Sequence, residues 1–242
     1  MELFYDLHIH SCLSPCGDMD MTPNNIAGMA MIKGLQIIAL TDHNTVRNAP
    51  ALMKAGEQYG LIVIPGMELT TEEEVHVVCL FSELEDAMAW DAYVYERLMK
   101  IPNRPAIFGE QIVMDENDEP VGEEPYLLIN ATSIPFDGVY DAVSAHHGIM
   151  IPAHLDKDST SLISNLGFIP PDSRFTCAEV KRLEKLHGLL REHPYLEKCR
   201  IISDSDAHYL EDISEPVHTL AFAGDCPTRR EILETLTGRP LP

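Results

Sequence analysis

Short runs of apolar and β-branched residues recur along this chain, and most are followed by a stretch with helix-capping chemistry. Leu3–His10, "LQIIALTDH" (35–43), "LIVIPGMEL" (61–69), "HVVCLF" (76–81), "IMIPAH" (149–154), Phe175–Val180, "RIISDSDAH" (200–208) and "VHTLAFA" (217–223) read as strands. Between them, Thr22 caps a helix with Pro23 at its first position and Gly34 as its stop, and a second helix over Ala51–Tyr59 ends at Gly60. Ser82 with Glu85 reads as a capping box opening a helix to about Lys100, and Thr228 with Glu231 opens the last one. Further helices are expected before Gly148, over Ser159–Leu166 and over Lys181–Arg191. Seven or eight βα units in 242 residues fit one closed parallel barrel better than two domains, with an open doubly wound sheet as the alternative. Alternation stops between Ile101 and Asn130, where two strands around a polar acidic turn suggest an inserted β-hairpin. One domain over 1–242, with an insertion at about 101–130, is the expected organisation.

In such barrels the chemistry sits where strands end. His8 and His10 end the first strand, Asp42 and His43 the second, and Glu68 the third; His76 starts or lies within the fourth. His154 ends "IPAH", and Asp206 with His208 ends "IISDSDAH". Residues i and i+2 of a strand share a face, so His8 and His10 would project together, as would Asp206 and His208. A single histidine at such a place is ordinarily a satisfied core residue; so many together are not. Mixed imidazole and carboxylate donors suit Zn, Mn or Fe, whereas Mg or Ca would call for oxygen alone.

The formal charge is −22, from 39 acidic and 17 basic residues. That argues against tight binding to long nucleic acid or anionic lipid, both of which need clustered Lys and Arg. No apolar stretch approaches a membrane span, and no basic-then-apolar leader opens the chain. The 6 cysteines lack a framework spacing, so reduced thiols and a cytoplasmic setting are expected.

The ordered set "DLHIHS", "TDHNT", "PGMEL", the His76 strand, "IPAH" and "SDSDAH" resembles the PHP family, named for polymerases and histidinol phosphatases, across nearly the whole chain. The resemblance implies a distorted (β/α)7 barrel and two to three divalent transition metal ions. It implies that His8, His10, Glu68 and Asp206 hold a first ion, and that Glu68 bridges to a second held by His76 and His154. Asp18, His43 and His208 would hold a third. The family's short S-D-G after the second histidine is here the longer "SCLSPCGD". Asp18 is chosen because it precedes Pro23 as the family's ligand precedes its helix, and Asp20 is its rival. Leu155 stands where the family has proline.

The reaction expected is hydrolysis of a phosphate ester by a metal-activated hydroxide, with Glu68, Asp206 and His208 as the catalytic groups. Arg47 and Lys157 are candidate phosphate contacts, Arg104 and Arg174 weaker ones. The expected substrate is a small phosphomonoester or nucleotide, with a short oligonucleotide as an option. No general acid can be picked. Glu179 could face the site from outside the ligand set, and Asp42 fits an orienting or capping role. Cys12 and Cys16 are poor zinc candidates, because no second pair accompanies them. His146, His147, His187, His193 and His218 read as structural. Two readings compete: amide hydrolysis or deamination by an amidohydrolase barrel, and a non-catalytic metal-bound module. Glu68 and Asp206-x-His208 argue against the first, and a complete set of candidate ligands argues against the second.

Overall fold

The computed structural model describes every residue except Asp225 and Pro242. Its elements, in chain order, begin with β1 (Glu2–Ile9), α1 (Pro23–Ile32), β2 (Ile37–Leu40), α2 (Ala49–Tyr59), β3 (Ile62–Thr70), β4 (His76–Leu80) and α3 (Leu84–Tyr95). Next come α4 (Pro105–Phe108), β5 (Ile112–Met114), β6 (Pro120–Glu123), α5 (Phe136–Ala145), β7 (Ile149–Pro152) and α6 (Leu162–Leu166). The chain finishes with β8 (Cys177–Glu179), α7 (Leu186–Glu192), β9 (Arg200–Ile202), β10 (Thr219–Ala221) and α8 (Arg229–Thr237). This is a mixed α/β fold built on a curled six-stranded sheet of order β10-β1-β2-β3-β4-β7.

The expected all-parallel alternation is not what forms. β1, β2 and β3 are parallel, but β4 runs antiparallel to both β3 and β7, and β10 runs antiparallel to β1. The cause is the short link between Thr70 and His76, which is too short for a crossover and turns the chain back as a hairpin. β8 and β9 form a separate parallel pair. That pair reaches the main sheet through Leu155 N to Glu179 O (2.9 Å) beside β7 and through an Ile9–Ala207 bridge beside β1.

Alternating side chains divide the core into two layers. Leu3, Tyr5, Leu7, Ile37, Ala39, Ile64, Val78, Leu80, Ile149, Ile151, Cys177 and Ile202 pack inside the curl, where Ile232, Leu233 and Leu236 of α8 join them. The opposite parity (Ile38, Leu40, Val63, Met67, Val77, Cys79) packs outward under α1, α2, α3 and α5. Burying a side chain such as Leu52 of α2 contributes roughly 1.5–3 kcal/mol.

Local signals were mostly, not wholly, obeyed. Thr22 caps α1 and the Thr228–Glu231 capping box forms. Ser82 caps nothing in α3, whose N-cap is Glu83 without a side-chain bond, and the helix stops at Tyr95. The expected helix over Lys181–Arg191 is a 3-10 turn (Leu183–Lys185) followed by α7. Between α3 and α5, β5 and β6 pair antiparallel outside the main sheet. Their turn is tied to the start of α1, where Asp118 accepts from Thr22 Oγ1 (2.5 Å) and Asn24 N (3.0 Å). Among the described residues, no helix is long and apolar enough to cross a membrane.

Gly66 marks a close approach in the curl, because a Cβ there would lie 2.7 Å from Leu80 Cδ2 and 3.0 Å from Cys79 O. Gly66→Ala is therefore expected to destabilise the fold by about 1–3 kcal/mol in urea unfolding. Gly122→Ala, whose Cβ would meet nothing nearer than 4.0 Å, is expected to leave the midpoint unchanged.

Candidate metal centre

Strand direction decides which residues reach the site. The C-terminal ends of β1, β2, β3, β7, β8 and β9 lie together, and antiparallel β4 brings its first residue, His76, to the same end opposite Thr70. His43, Glu68, His76 and Glu179 share the inward parity of their strands and point into the curl's mouth. His8, His10 and His154 do not share it. Beyond Leu7, strict alternation would turn His8 and His10 outward. The β1–β2 register shifts between Asp6 and Ile9, Ile9 joins the outer layer, and both rings swing inward. His154 gets there through a left-handed backbone (φ +29), and Asp206 is also left-handed (φ +52). Such strain at non-glycine residues persists where surrounding structure enforces it, often at functional sites.

One carboxylate lies at the centre. Glu68, buried to 1% exposure, contacts five imidazoles. Its Oε1 lies 2.8 Å from His76 Nδ1, 3.1 Å from His154 Nε2 and 3.3 Å from His8 Nε2. Oε2 lies 3.1 Å from His43 Nδ1 and 3.3 Å from His10 Nε2. The Nε2 atoms of His8 and His10 are 3.2 Å apart, and each is 3.5 Å from Asp206 Oδ1. Three groups thus have donor atoms within 4.8 Å of one another: His8, His10, Glu68 and Asp206; His43, Glu68 and His76; His10, His43 and His208.

The charges are strained in a way that calls for cations. Burial would raise the Glu68 carboxyl, but His76, His8 and His43 hold it well below the usual range. Burial is likewise overcome at Asp206 by His8 and His10. Burial disfavours a charged His8, yet Glu179, Glu68 and Asp206 raise it well above an ordinary imidazole. Against its burial, Cys16 and Glu68 push His43 up to about 9. Burial wins at His76, which falls to about 4, and with help from His10 at His208, which falls to about 3. Buried Nδ1 of His43 and Oε2 of Glu68, though 3.1 Å apart, form no hydrogen bond. Divalent ions coordinated by this set would satisfy such atoms and relieve the crowding of like charge.

The remaining candidates divide clearly. Lys157 Nζ lies 2.5 Å from Asp206 Oδ2, and Lys181, which sequence reasoning missed, lies 3.7 Å from the same oxygen. Its only signal was a place two residues beyond Glu179. Arg47 turns away, pairing with Glu124 beside β6 and lying over the Tyr95 ring. Asp18 is half-buried, its carboxylate accepts from Asp20 N (2.9 Å), and it joins none of the three groups; its own N donates to His208 O (2.9 Å). Asp20 is exposed. Asp42 caps the loop after β1, accepting from Ser11 N and from the hydroxyls of Ser11 and Ser14. Glu179 lies 2.7 Å from His8 Nδ1. Cys12 is pushed up to about 12, chiefly by burial, and stays a thiol. His146 packs against Trp90 and Tyr93, and Arg174 pairs with Asp141.

A family model for the PHP domain matches residues 6–167. Over 79 residues the chain is 33% identical to a 5′-3′ exoribonuclease of Haemophilus influenzae, a stretch covering 31% of this chain and 28% of that one. The chain aligns with less than half the length of each curated relative it matches. A lesion-specific endonuclease from Pyrococcus furiosus superposes with a TM-score of 0.59 at 19% identity, over 86% of this chain and 49% of that one. A protein provisionally assigned as a metal-dependent phosphoesterase, from Bifidobacterium adolescentis, gives 0.53 at 19% identity, over 97% and 98%. At such identity the structural likenesses establish the fold.

These relatives overturn the exclusion of long nucleic acid as a partner. Net charge is a sum over the whole surface, whereas binding responds to local potential. Acidic residues such as Asp115–Glu119 belong to the β5–β6 turn, while Lys157, Lys181, Arg182 and Lys185 gather in the loops after β7 and β8.

Stability of the metal-free protein should reveal these shifts. His8, His10 and His43 are raised, so their contribution is complete below about pH 6.5 and is lost as pH rises, through about 9 for His43. His76 and His208 are lowered, so theirs is complete above about 6.5 and is lost as pH falls toward 4 and 3. Thermal unfolding in chelator is expected to peak near pH 6.5, with zinc removing the alkaline decline. A metal-free Tm that keeps rising from pH 6.5 to 9 would contradict this charge distribution.

Proposed function

Because the chain belongs to the PHP domain family, we propose that it is a metal-dependent phosphoesterase that hydrolyses phosphate esters of nucleotides or nucleic acids. The observation that carries this reading is the convergence of His8 Nε2, His10 Nε2, a Glu68 oxygen and Asp206 Oδ1 on one small space. Two neutral nitrogens and two carboxylates fit a divalent transition metal such as Zn, Mn or Fe. His8, His10, Glu68 and Asp206 would hold the first ion, and Glu68, His76 and His154 the second. His43 and His208, with Asp18 in the adjoining loop, would hold the third. Such ions, when bound, lower the pKa of water and act as Lewis acids toward phosphoryl oxygens.

The protein's own groups would do the rest. Lys157 and Lys181 stand beside Asp206 and are placed to draw in a phosphate once that carboxylate is shared with a cation. Glu68 and Asp206 keep the ions together at the strand ends, and His208 lines the rim, where its lowered proton affinity keeps it unprotonated at neutral pH. Arg47 supports the site indirectly by anchoring the β5–β6 hairpin through Glu124. We read residues 1–242 as one distorted barrel unit, with β1, β2, β3, β4, β7, β8 and β9 as its seven staves and about 101–130 as an insertion. Amide hydrolysis is the weaker reading, because Glu68 at the hub and the His208 arm both suit a phosphate site.

The test is phosphate release by purified protein loaded with Mn or Zn, on an aryl phosphate, mononucleotides and 5′-phosphorylated oligonucleotides. Activity is expected on at least one, and His10→Ala or Asp206→Asn is expected to remove at least 100-fold of it; Lys157→Ala should act mainly on KM. Turnover of amides but of no phosphate ester would refute the proposal.

A further inference from the structure

A histidine can hold a cation only through an unprotonated ring nitrogen, so each ligand's tautomer has to be set by whatever its other nitrogen touches. Behind His10 that partner is a hydroxyl. Its Nδ1 lies 2.9 Å from Ser14 Oγ, which is also 2.7 Å from Asp42 Oδ1 and 3.2 Å from the backbone N of His43. All four residues are buried. A hydroxyl offers one proton and two lone pairs. Asp42 only accepts, and it already takes Ser11 N and Ser11 Oγ, so the Ser14 proton goes to Asp42. The His43 N–H occupies one lone pair of Ser14. His10 must therefore donate from Nδ1, which reserves Nε2, facing Glu68 and Asp206, for an ion.

His8 reaches the same state by a shorter route. Its Nδ1 lies 2.7 Å from Glu179 Oε2, with both groups buried, so a proton stays on Nδ1 and Nε2 is the nitrogen left for an ion. The Nε2 atoms of the two rings lie 3.2 Å apart. Resting on the metal-centre reading above, we infer that Ser14 and Glu179 are positioning residues of the first ion site, which orient His10 and His8 and keep a proton on each Nδ1, so that only Nε2 is open to an ion. Ser14 comes from "SCLSPCGD", the lengthened loop after β1, so that loop has a task beyond spanning a gap. By gripping both the His10 ring and the His43 backbone, its hydroxyl also sets the first group against the third. Partners of this kind, behind metal-bound histidines, commonly change metal affinity by about 10–100-fold.

The experiment compares the full chain with Ser14→Ala and Glu179→Met by two readouts. Zinc affinity is measured by competition with a chromophoric chelator, and the hydrogen-bonded Nδ1–H protons of His8 and His10 are followed in downfield 15N–1H spectra of the metal-free protein. Ser14→Ala is expected to weaken the tightest zinc about 10–100-fold and to expose the Nδ1–H of His10, but not that of His8, to exchange with solvent. Glu179→Met should do the converse. Should Glu179→Met fail to fold, Ser14→Ala, the loss of a single oxygen, decides the matter. Zinc affinity within twofold of wild type together with unchanged Nδ1–H signals would overturn the inference. Wild-type protein that bound no zinc would refute the metal reading itself, while the metal-free spectra would still decide what Ser14 and Glu179 do.

Discussion

The structure depends on one buried carboxylate. Glu68 lies out of water among five imidazoles, a position that would cost several kcal/mol if its charge were unmatched. Its neighbours match it only by disagreeing among themselves: His8, His10 and His43 hold protons more tightly than usual, and His76 less tightly. A stable interior does not need such opposition, since an apolar residue of similar size would fill the same space. The arrangement makes sense as a set of ligands held in place for cations.

The fold's departures from a regular parallel barrel serve that set. Reversing β4 brings His76 to the mouth beside Glu68, where a parallel strand would have begun at the opposite end. The register shift in β1 turns two rings inward that alternation would have left outside. Left-handed backbone at His154 and Asp206 re-aims the last residues of two strand ends. At the other end of the curl, α8 closes the interior with Ile232, Leu233 and Leu236, so the curl encloses a packed core with the candidate ligands at one mouth.

Much of this was legible in the chain. Apolar runs located the strands, caps located most helices, and reading only strand ends collected His8, His10, His43, Glu68, His76, His154, Asp206 and His208. What could not be read was orientation. Nothing in "DLHIHS" announces a register shift, and an H-x-H pair looks the same facing in or out. Arg47 and Lys157 looked equivalent as cations in adjoining loops, but only tertiary contact shows Glu124 claiming the first. The distance of Asp18 from Pro23 says nothing of its contacts, a carboxylate that accepts from Asp20 N and a backbone N that donates to His208 O. Net charge by itself excludes no partner, because it averages over a surface on which Lys157, Lys181, Arg182 and Lys185 lie together beside the site.

The central claim is that these side chains hold divalent ions at the mouth of the curl. Anomalous diffraction from crystals of the protein grown with Mn or Zn tests it directly. The expected result is a peak at roughly 2.0–2.2 Å from the Nε2 atoms of His8 and His10 and from oxygens of Glu68 and Asp206, with at least one more peak sharing Glu68. Full occupancy at other residues, with none among these four, would contradict the account.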